Sequence, residues 1–477
     1  MTKEKRIKFL TWPLILICLV GGICSYISAG YYYSDAVYHA INLFKFTVDA
    51  DELNIGLRIF RWLAPLSVAT TVFIEIAPLF MWLRNNIVFW LTPTKTIIYS
   101  DCETGDALYQ SMNRKAVLHK TGNTFNLSDY AKKSVILMKN DEDALKLYGD
   151  LDGLDNRFLC LNSMEPSLIP SSGNTVICNI NDIIAGYFWH KEFMSFSDNT
   201  DGIPSWRCPD KDHIHIFKDN KDREFKIIIW GYDNLGKRLL YKGLLNNIFS
   251  PFQKITYYIF DPEHNSCAYM DDISGAVSIN DDKVFFYDDE SKIRELSTGV
   301  DAIIIPGRID PVRIQELLYS TKTPQLYYYD PKGIQLEKLF GNTQDPIIKK
   351  LHSFGADKEI LKEKYILHSG LLDKAKEINN NYFKEHPEKG KKWEELSGFD
   401  KGSNVNCADY LEVGYTIRSW NLFSIEELAS LEHIRWYRYI YLNHSSENKA
   451  EKLMVPYKEL PENEKEKDRE NVRLWKD

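Results

Sequence analysis

Two long apolar stretches in the first ninety residues predict membrane helices. Residues 9–34 carry no charged side chain, and residues 62–83 carry one, Glu75. About 20 consecutive, mostly apolar residues are enough to cross the hydrocarbon core of a bilayer. The pattern therefore predicts a membrane domain over residues 1–92, with spans at about 9–30 and 62–83.

The charges that flank these stretches predict their orientation. The amino terminus and the segment after Arg84 are basic, whereas the loop between the two stretches is acidic. Cytosolic loops carry the excess of lysine and arginine. We therefore expect a multi-pass protein of the inner (plasma) membrane with both termini in the cytosol.

The second stretch carries polar side chains on one helical face, because Ser67, Thr71 and Glu75 recur every four residues. An ionised carboxylate near the centre of a bilayer is costly, so such a residue needs a partner or water. Two interpretations stay open: the stripe lines a pore or gate in an oligomer, or a protonated Glu75 forms a hydrogen bond with the first helix.

From Thr94 onward, apolar strands alternate with amphipathic helices, which is typical of a parallel α/β sheet. The pattern occurs twice and predicts two tandem Rossmann-like units, at 93–195 and, with a linker, at 196–345. The predicted strands are 96–99, 134–138, 158–161 and 175–178 in the first unit, and 226–230, 255–260, 284–287, 302–305 and 325–329 in the second. Residues 346–418 are polar and predict a helical connector.

The second unit carries a partial dinucleotide-binding turn. Gly231 and Gly236 hold the first and third positions of GxGxxG, Asp233 holds the middle position, and Asp261 ends the next strand. In such a turn glycines let the backbone approach a pyrophosphate, and the acidic residue accepts a ribose hydroxyl. In the first unit only the last glycine, Gly105, is present. The second unit is either a site for NAD or another nucleotide, or a vestigial packing fold.

This tandem arrangement resembles the TrkA-N-type NAD-binding domains that regulate potassium transport. The resemblance covers about half of the chain. It implies ligand-regulated domains that associate with one another, and hence a homo-oligomer, rather than dehydrogenases.

The carboxyl-terminal residues 419–477 predict a small all-α domain. Ser424 and Glu427 have the spacing of a capping box at a helix start. The sequence then contains H-x-x-W and, later, V-P-Y-x-x-L-P-x-x-x-K-x-x-D-R, a pattern that resembles the ryanodine-receptor (RyR) repeat domain. The residues that carry this resemblance and are candidates for ligand binding are His433, Trp436, Tyr457, Lys465, Asp468 and Arg469. Their alternative role is a helical core around Trp436 and Tyr457.

Charge and motifs exclude several functional classes. The formal net charge of -8 argues against broad nucleic-acid binding, which needs a basic surface. Eight scattered cysteines without a CxxC pair indicate reduced thiols. The sequence contains no P-loop, zinc-protease, nucleophile-elbow or EF-hand motif, and Cys208, His213 and His215 do not complete a zinc set. No catalytic residue or metal site is assigned.

Together these features predict a membrane-anchored cytosolic sensor that responds to a nucleotide. The two resemblances imply a role in ion-transport regulation or prokaryotic defence signalling. The first alternative is a membrane-tethered scaffold that binds another protein through its carboxyl-terminal domain. An NAD-dependent oxidoreductase is the least favoured hypothesis, because no proton donor can be placed beside a nicotinamide.

Overall fold

The structure is a computed structural model of the 477-residue chain. It describes residues 3–475 except 46, 49, 51–52, 92–95, 113–115, 121–130, 152–155, 165, 167–168, 170–174, 193–223, 264–269, 308–309, 321–324, 341–344, 363–365, 367–369, 420 and 444–451. Cys208, His213 and His215 therefore lie outside the described residues. The chain divides into two compact units, Met1–Pro93 and Thr94–Asp477.

The first unit is helical. Its helices are α1 (Lys3–Ser28), α2 (Tyr33–Leu43) and α3 (Ile55–Leu91). Small residues bring α1 and α3 together: a Cβ on Gly21 would overlap the ring of Phe60, and one on Gly56 would overlap the Ser25 side chain. The Asn54 side chain adds a hydrogen bond, donating from Nδ2 to the Ser25 carbonyl at 2.7 Å.

The structure corrects the predicted membrane spans. Within the described residues, no helix combines the length and the apolarity that crossing a membrane takes. A span needs about 20 consecutive, mostly apolar residues. The predicted spans at 9–30 and 62–83, and with them the multi-pass inner-membrane localisation with cytosolic termini, are therefore wrong.

The predicted polar stripe is described only in part. Ser67 is buried, and its hydroxyl donates to the carbonyl of Ala64 at 2.7 Å, one turn back on α3. The side chains of Thr71 and Glu75 lie outside the described part of the chain. The described serine thus forms a hydrogen bond within its own helix.

The second unit contains two parallel sheets, which confirms the prediction of two tandem α/β units. In the first sheet the strands run in the order β2-β1-β3-β4-β5. Its elements are β1 (Thr96–Ser100), α4 (Glu103–Ser111), β2 (Ala116–Lys120), β3 (Lys133–Leu137), α5 (Asp141–Asp150), β4 (Arg157–Leu161), β5 (Val176–Asn179) and α6 (Ile180–Tyr187), and a π-helical turn (Phe188–Glu192) follows.

The second sheet has the order β11-β10-β9-β6-β7-β8, which is the doubly wound Rossmann order 3-2-1-4-5-6 read from the other edge. Its elements are β6 (Glu224–Trp230), α7 (Asn234–Asn246), β7 (Lys254–Phe260), α8 (Met270–Val277), β8 (Lys283–Tyr287), α9 (Lys292–Leu296), β9 (Ala302–Ile305), α10 (Pro311–Ser320), β10 (Gln325–Tyr329), α11 (Leu336–Leu339), β11 (Leu351–Phe354) and α12 (Asp357–Ile360). The sixth strand extends the sheet beyond residue 345, into the segment predicted as a helical connector.

The remaining elements are helical. They are α13 (Gly370–Glu385), α14 (Gly398–Ser419), α15 (Ile425–Leu442), a 3-10 turn (Tyr457–Glu459) and α16 (Glu462–Arg473). One hydrophobic core contains side chains from both sheets and from α14, α15 and α16. At the joint between the sheets, Trp189 is fully buried and its indole N–H donates to the carbonyl of Leu239 in α7 at 2.9 Å.

Candidate functional site

The turn after β6 has the backbone form of a dinucleotide-binding turn. Gly231 has φ +122°, a conformation that side chains other than glycine rarely adopt. A Cβ on Gly236 would lie 2.0 Å from the carbonyl oxygen of Gly231, so the first turn of α7 packs directly on the strand end. Both predicted glycines are therefore required by the backbone.

Asp233 occupies the helix end where a phosphate would bind. It is the N-cap of α7, and its Oδ1 accepts a hydrogen bond from the backbone N–H of Gly236 at 3.0 Å. A free helix N-terminus attracts anions through its unpaired N–H groups and its dipole. Here the Asp233 carboxylate itself binds an N–H group at this helix end, and its charge repels a second anion.

Asp261 lies directly after β7, the strand next to β6. Its side chain is buried, and its backbone N–H donates to the carbonyl of Tyr287 at 2.8 Å. Pro306 follows β9 on the other side of β6 and packs near both turn glycines. In doubly wound sheets the ligand crevice lies where strand order reverses, here between β6 and β9. Gly231, Gly236 and Pro306 thus lie at that crevice, and Asp261 lies at the end of the neighbouring strand β7.

Three further residues at this edge were not predicted from the sequence. The Trp230 indole N–H donates to Glu290 Oε1 at 2.9 Å, and Arg313 donates to Glu290 Oε2 at 2.6 Å. The Arg313 guanidinium lies 4.5 Å from the centroid of the Trp230 ring. Burial raises the pKa of Glu290, but the hydrogen bonds from Trp230 and Arg313 outweigh it and leave that pKa below its ordinary value. The contact places an aromatic ring and a cation beside the crevice.

A cavity of about 210 Å³ lies at a different place, near the ends of β10 and β11. Asp330, Glu337, Glu359 and His352 contribute to its lining. The Glu337 carboxylate already accepts hydrogen bonds from the Tyr328 and Ser353 hydroxyls, at 2.6 and 2.7 Å. The lining of this cavity is therefore mainly acidic and polar, and its Glu337 carboxylate already has two hydrogen-bond partners.

In the first Rossmann-like unit, the glycine at the corresponding position serves packing. A Cβ on Gly105 would lie 2.2 Å from Cβ of Ser100, at the end of β1. Cys102 is the N-cap of α4 and gives no side-chain cap. Close contact between helix and strand therefore explains Gly105 without a ligand.

The six candidate ligand-binding residues of the carboxyl-terminal segment lie on α15, the 3-10 turn and α16. Their polar groups bond to backbone carbonyls and to acidic side chains nearby. His433 Nε2 contacts the Val455 carbonyl (2.8 Å) and Nδ1 contacts Asp468 (3.5 Å). The other contacts are Tyr457 to Glu426 (3.0 Å), Lys465 to the Lys458 carbonyl (3.0 Å), and Arg469 to Glu426, Glu462 and Glu466 (2.6–3.0 Å). The rings of His433 and Trp436 stack at 5.7 Å. The cluster holds the domain together through these internal contacts.

Asp468 is the carboxylic acid of this cluster, and its pKa departs from that of a free carboxyl group. It is almost fully buried, and this burial raises its pKa to about 6, although the hydrogen bond with His433 lowers it. Because a carbonyl oxygen only accepts, His433 Nε2 carries the hydrogen that binds Val455, and Nδ1 faces the carboxyl group. Asp468 is therefore a titratable group at the contact between α15 and α16.

Helix α7 links the crevice to the carboxyl-terminal helices. Arg438 of α15 is fully buried, donates to the Leu244 carbonyl near the end of α7 at 2.7 Å, and pairs with buried Asp282 at 2.5 Å. Lys242, also on α7, pairs with Asp409 of α14 at 2.8 Å. Burial disfavours the charged carboxylate, but Lys242 and a neighbouring histidine hold the pKa of Asp409 well below its usual range.

Comparisons with known proteins add little to this geometry. No family model matches the chain, and no curated protein matches it. One solved structure is similar: the apo-structure of D-lactate dehydrogenase from Escherichia coli, at 10% identity, covering 58% of this chain and 97% of that chain with a TM-score of 0.23. A score this low carries no argument, so the proposals below rest on the chain itself.

Proposed function

We propose that the chain is a ligand-responsive regulator whose second Rossmann-like unit binds a nucleotide at the crevice around Gly231. One observation carries the proposal: α7 begins at the crevice turn and ends against the buried carboxyl-terminal helices. Its first turn contains Gly236, and its last turns are held by α14 and α15. A rigid helix of this kind passes a shift at the turn to the far end.

The proposed response is a change of position of α7. A ligand shifts a conformational equilibrium only if it binds the two states with different affinity. A ligand that contacts the turn competes with Asp233 for the first N–H groups of α7, so its binding changes the contacts of that helix end. The Lys242–Asp409 ion pair and the hydrogen bond from Arg438 to the Leu244 carbonyl would carry the shift to α14 and α15.

The proposed ligand is NAD or another nucleotide whose ribose binds Asp261. A buried carboxylate at the end of the strand next to the glycine turn suits a ribose hydroxyl. Asp233 weakens direct contact with a pyrophosphate, which favours ligands held mainly through the nucleoside. The resemblance to TrkA-N-type and RyR-like domains supports regulation rather than catalysis, and self-association is part of the same proposal.

The thermal stability of the full chain tests this proposal, measured with NAD, NADH, ATP, ADP-ribose and cyclic nucleotides. A ligand at a hundred times its dissociation constant adds about 2.7 kcal/mol to the free energy of unfolding. Asp261→Asn should abolish the stabilisation. Asp271→Asn, an exposed change on α8 of the same unit, should leave it intact. A shift that survives Asp261→Asn would contradict the assigned site.

Asp233→Gly gives a second, opposite test. Glycine at an N-cap is only a few tenths of a kcal/mol worse than aspartate, so the fold should persist. Removing the carboxylate frees the helix end for an anion. We expect stronger stabilisation by the pyrophosphate ligands, NAD and ADP-ribose, and none of this gain for a nucleoside without phosphate. Equal gains for both would contradict the role given to Asp233.

The second candidate function is a protein-interaction scaffold with vestigial Rossmann-like units. The Asp233 cap favours it, because the anion position of the turn is already occupied. This function predicts no stabilisation by any nucleotide, for the folded full chain or for Asp233→Gly. A partner that binds through residues 419–477 would then lose affinity on Arg469→Ala, which removes the cation bound by Glu426, Glu462 and Glu466.

A further inference from the structure

Two cysteines face each other across neighbouring strands of the first sheet. Cys160 in β4 and Cys178 in β5 are direct partners in the parallel register. Their Sγ atoms lie 3.5 Å apart, and both are free thiols. Neither residue takes part in the candidate nucleotide site.

The backbone spacing at this pair suits a disulfide. Paired strands lie about 4.7–4.9 Å apart. Disulfides join residues whose Cα atoms are about 4.4–6.8 Å apart. Because the two thiols already touch, a bond between them needs mainly side-chain rotation.

The two thiols differ in their access to solvent. Cys160 is fully buried, whereas Cys178 is half-buried on β5, the edge strand of the sheet. The contact with Cys178 and the burial raise the pKa of the Cys160 thiol well above its ordinary value. A small oxidant therefore reaches Cys178 first, and Cys160 stays protonated until a reaction begins beside it.

We propose that Cys160 and Cys178 form a redox-modification site that a peroxide converts to a disulfide. The Cys178 thiolate attacks a peroxide oxygen, the O–O bond breaks, and Cys178 becomes a sulfenic acid while the leaving oxygen takes up a proton. The Cys160 sulfur then attacks the Cys178 sulfur, the S–S bond forms, the S–O bond breaks, and water leaves with the Cys160 proton. The two thiols lose two electrons in total, and the peroxide gains them.

The bond would fix the joint between the two sheets. Asn179 follows Cys178 directly, and its side chain caps α6 by accepting a hydrogen bond from the Asn181 N–H at 2.8 Å. Helix α6 packs on α7, which begins at the crevice turn. A disulfide between β4 and β5 would therefore restrain α6, the helix that connects the first sheet with α7.

Peptide mapping of the intact full-length chain after peroxide treatment tests the site, together with thiol titration in denaturant. The chain has eight cysteines. We expect the loss of two titratable thiols, a peptide in which residues 160 and 178 are linked, and full recovery with a dithiol reductant. The linkage is mapped on the unaltered chain, so the result does not depend on whether a variant folds.

Three variants sharpen the result. Cys24→Ser, at an exposed lone thiol of α1, is the matched control and should still lose two thiols. Cys178→Ser and Cys160→Ser should form no linked peptide, and Cys160→Ser should lose at most the Cys178 thiol. A linkage between other cysteines, or over-oxidised Cys178 beside a free Cys160 thiol, would overturn the proposal.

Discussion

At the scale of single residues, the glycine turn of the candidate site is packed so closely that a side chain at Gly236 would not fit. Gly236 lies against the Gly231 carbonyl oxygen, so a methyl group there meets backbone rather than a movable side chain. Asp233 fills the helix end with its own carboxylate. A local contact therefore explains the residue type at each of these positions. A ligand at the turn would have only the groups that these contacts do not already use.

Gly236→Ala should lower the stability of the full chain. Overpacking of this kind takes about 1–3 kcal/mol from the free energy of unfolding, because the start of α7 must move off the strand. Gly149→Ala is the matched control: Gly149 is helical, nothing lies within 4 Å of its added methyl, and alanine gains up to about 1 kcal/mol in a helix. Urea unfolding measures both, and equal effects would contradict the packing.

Asp468→Asn should change how stability depends on pH. The folded-state pKa of Asp468 is about 6, above the ordinary 3.8, so the folded state holds this proton more tightly than the unfolded state. The stabilisation is complete below pH 3.8 and is lost as the pH rises to about 6. Between these values the free energy of unfolding of the wild type should fall by up to about 3 kcal/mol relative to the variant.

Urea unfolding across this pH range measures the difference, and Asp373→Asn, at an exposed position, is the control. Parallel curves of unfolding free energy against pH for the wild type and Asp468→Asn would contradict the raised pKa.

At the scale of elements, α15 is bound on two sides. The predicted capping box is confirmed: Ser424 accepts the Glu427 N–H, and Glu427 accepts the Ser424 N–H. One side of the helix contacts α16 through His433 and Asp468, and another contacts α7 and the second sheet through Arg438. The helix therefore contacts α7 and the second sheet as well as the carboxyl-terminal cluster.

Arg438→Met should be strongly destabilising, because it leaves the Asp282 charge buried without its cation. Removing one partner of a buried ion pair lowers the free energy of unfolding by about 3–5 kcal/mol. Adding Asp282→Asn should recover part of this loss, which a double-mutant cycle in urea measures. Arg473→Met, at a half-exposed ion pair with Glu466, should stay within about 1 kcal/mol of wild type. A double variant no more stable than Arg438→Met would contradict the pairing.

At the scale of the whole molecule, one large core runs through most of the unit Thr94–Asp477. It contains side chains from both sheets and from α14, α15 and α16. Trp475, at the end of the described chain, packs edge-on against Tyr410 of α14. Cooperative unfolding follows from such continuity, because no part can leave without exposing the rest.

The two sheets and α15 should therefore unfold in a single transition. Hydrogen exchange in the full chain should give the same limiting free energy for the amides of β3, β6 and α15. Arg473→Met should leave that agreement intact, whereas Arg438→Met should lower α15 together with both sheets. An α15 that exchanges at a clearly lower free energy than β6 would show independent domains and contradict the shared core.

The strands were predictable because buried parallel strands are apolar runs with turn residues at both ends. The predicted 302–305 and 325–329 match β9 and β10, and the other predicted strands differ from the structure by one or two residues. The sixth strand, β11, was not predicted, since Leu351–Phe354 contains His352 and Ser353 and lacks a continuous apolar run. The predicted membrane spans were wrong because a run of apolar residues does not by itself make a helix cross a membrane.

The sequence by itself determined the two parallel α/β units, the glycine turn at Gly231 and Gly236, and the capped start of α15. Each of these depends on residues close together in the chain, where period, turn chemistry and capping act locally. Only the tertiary structure decided the contacts of Trp230 with Glu290 and Arg313, the buried pair Arg438–Asp282, and the facing thiols of Cys160 and Cys178. These partners are far apart in sequence, and their meeting depends on strand order and helix packing, which no local pattern encodes.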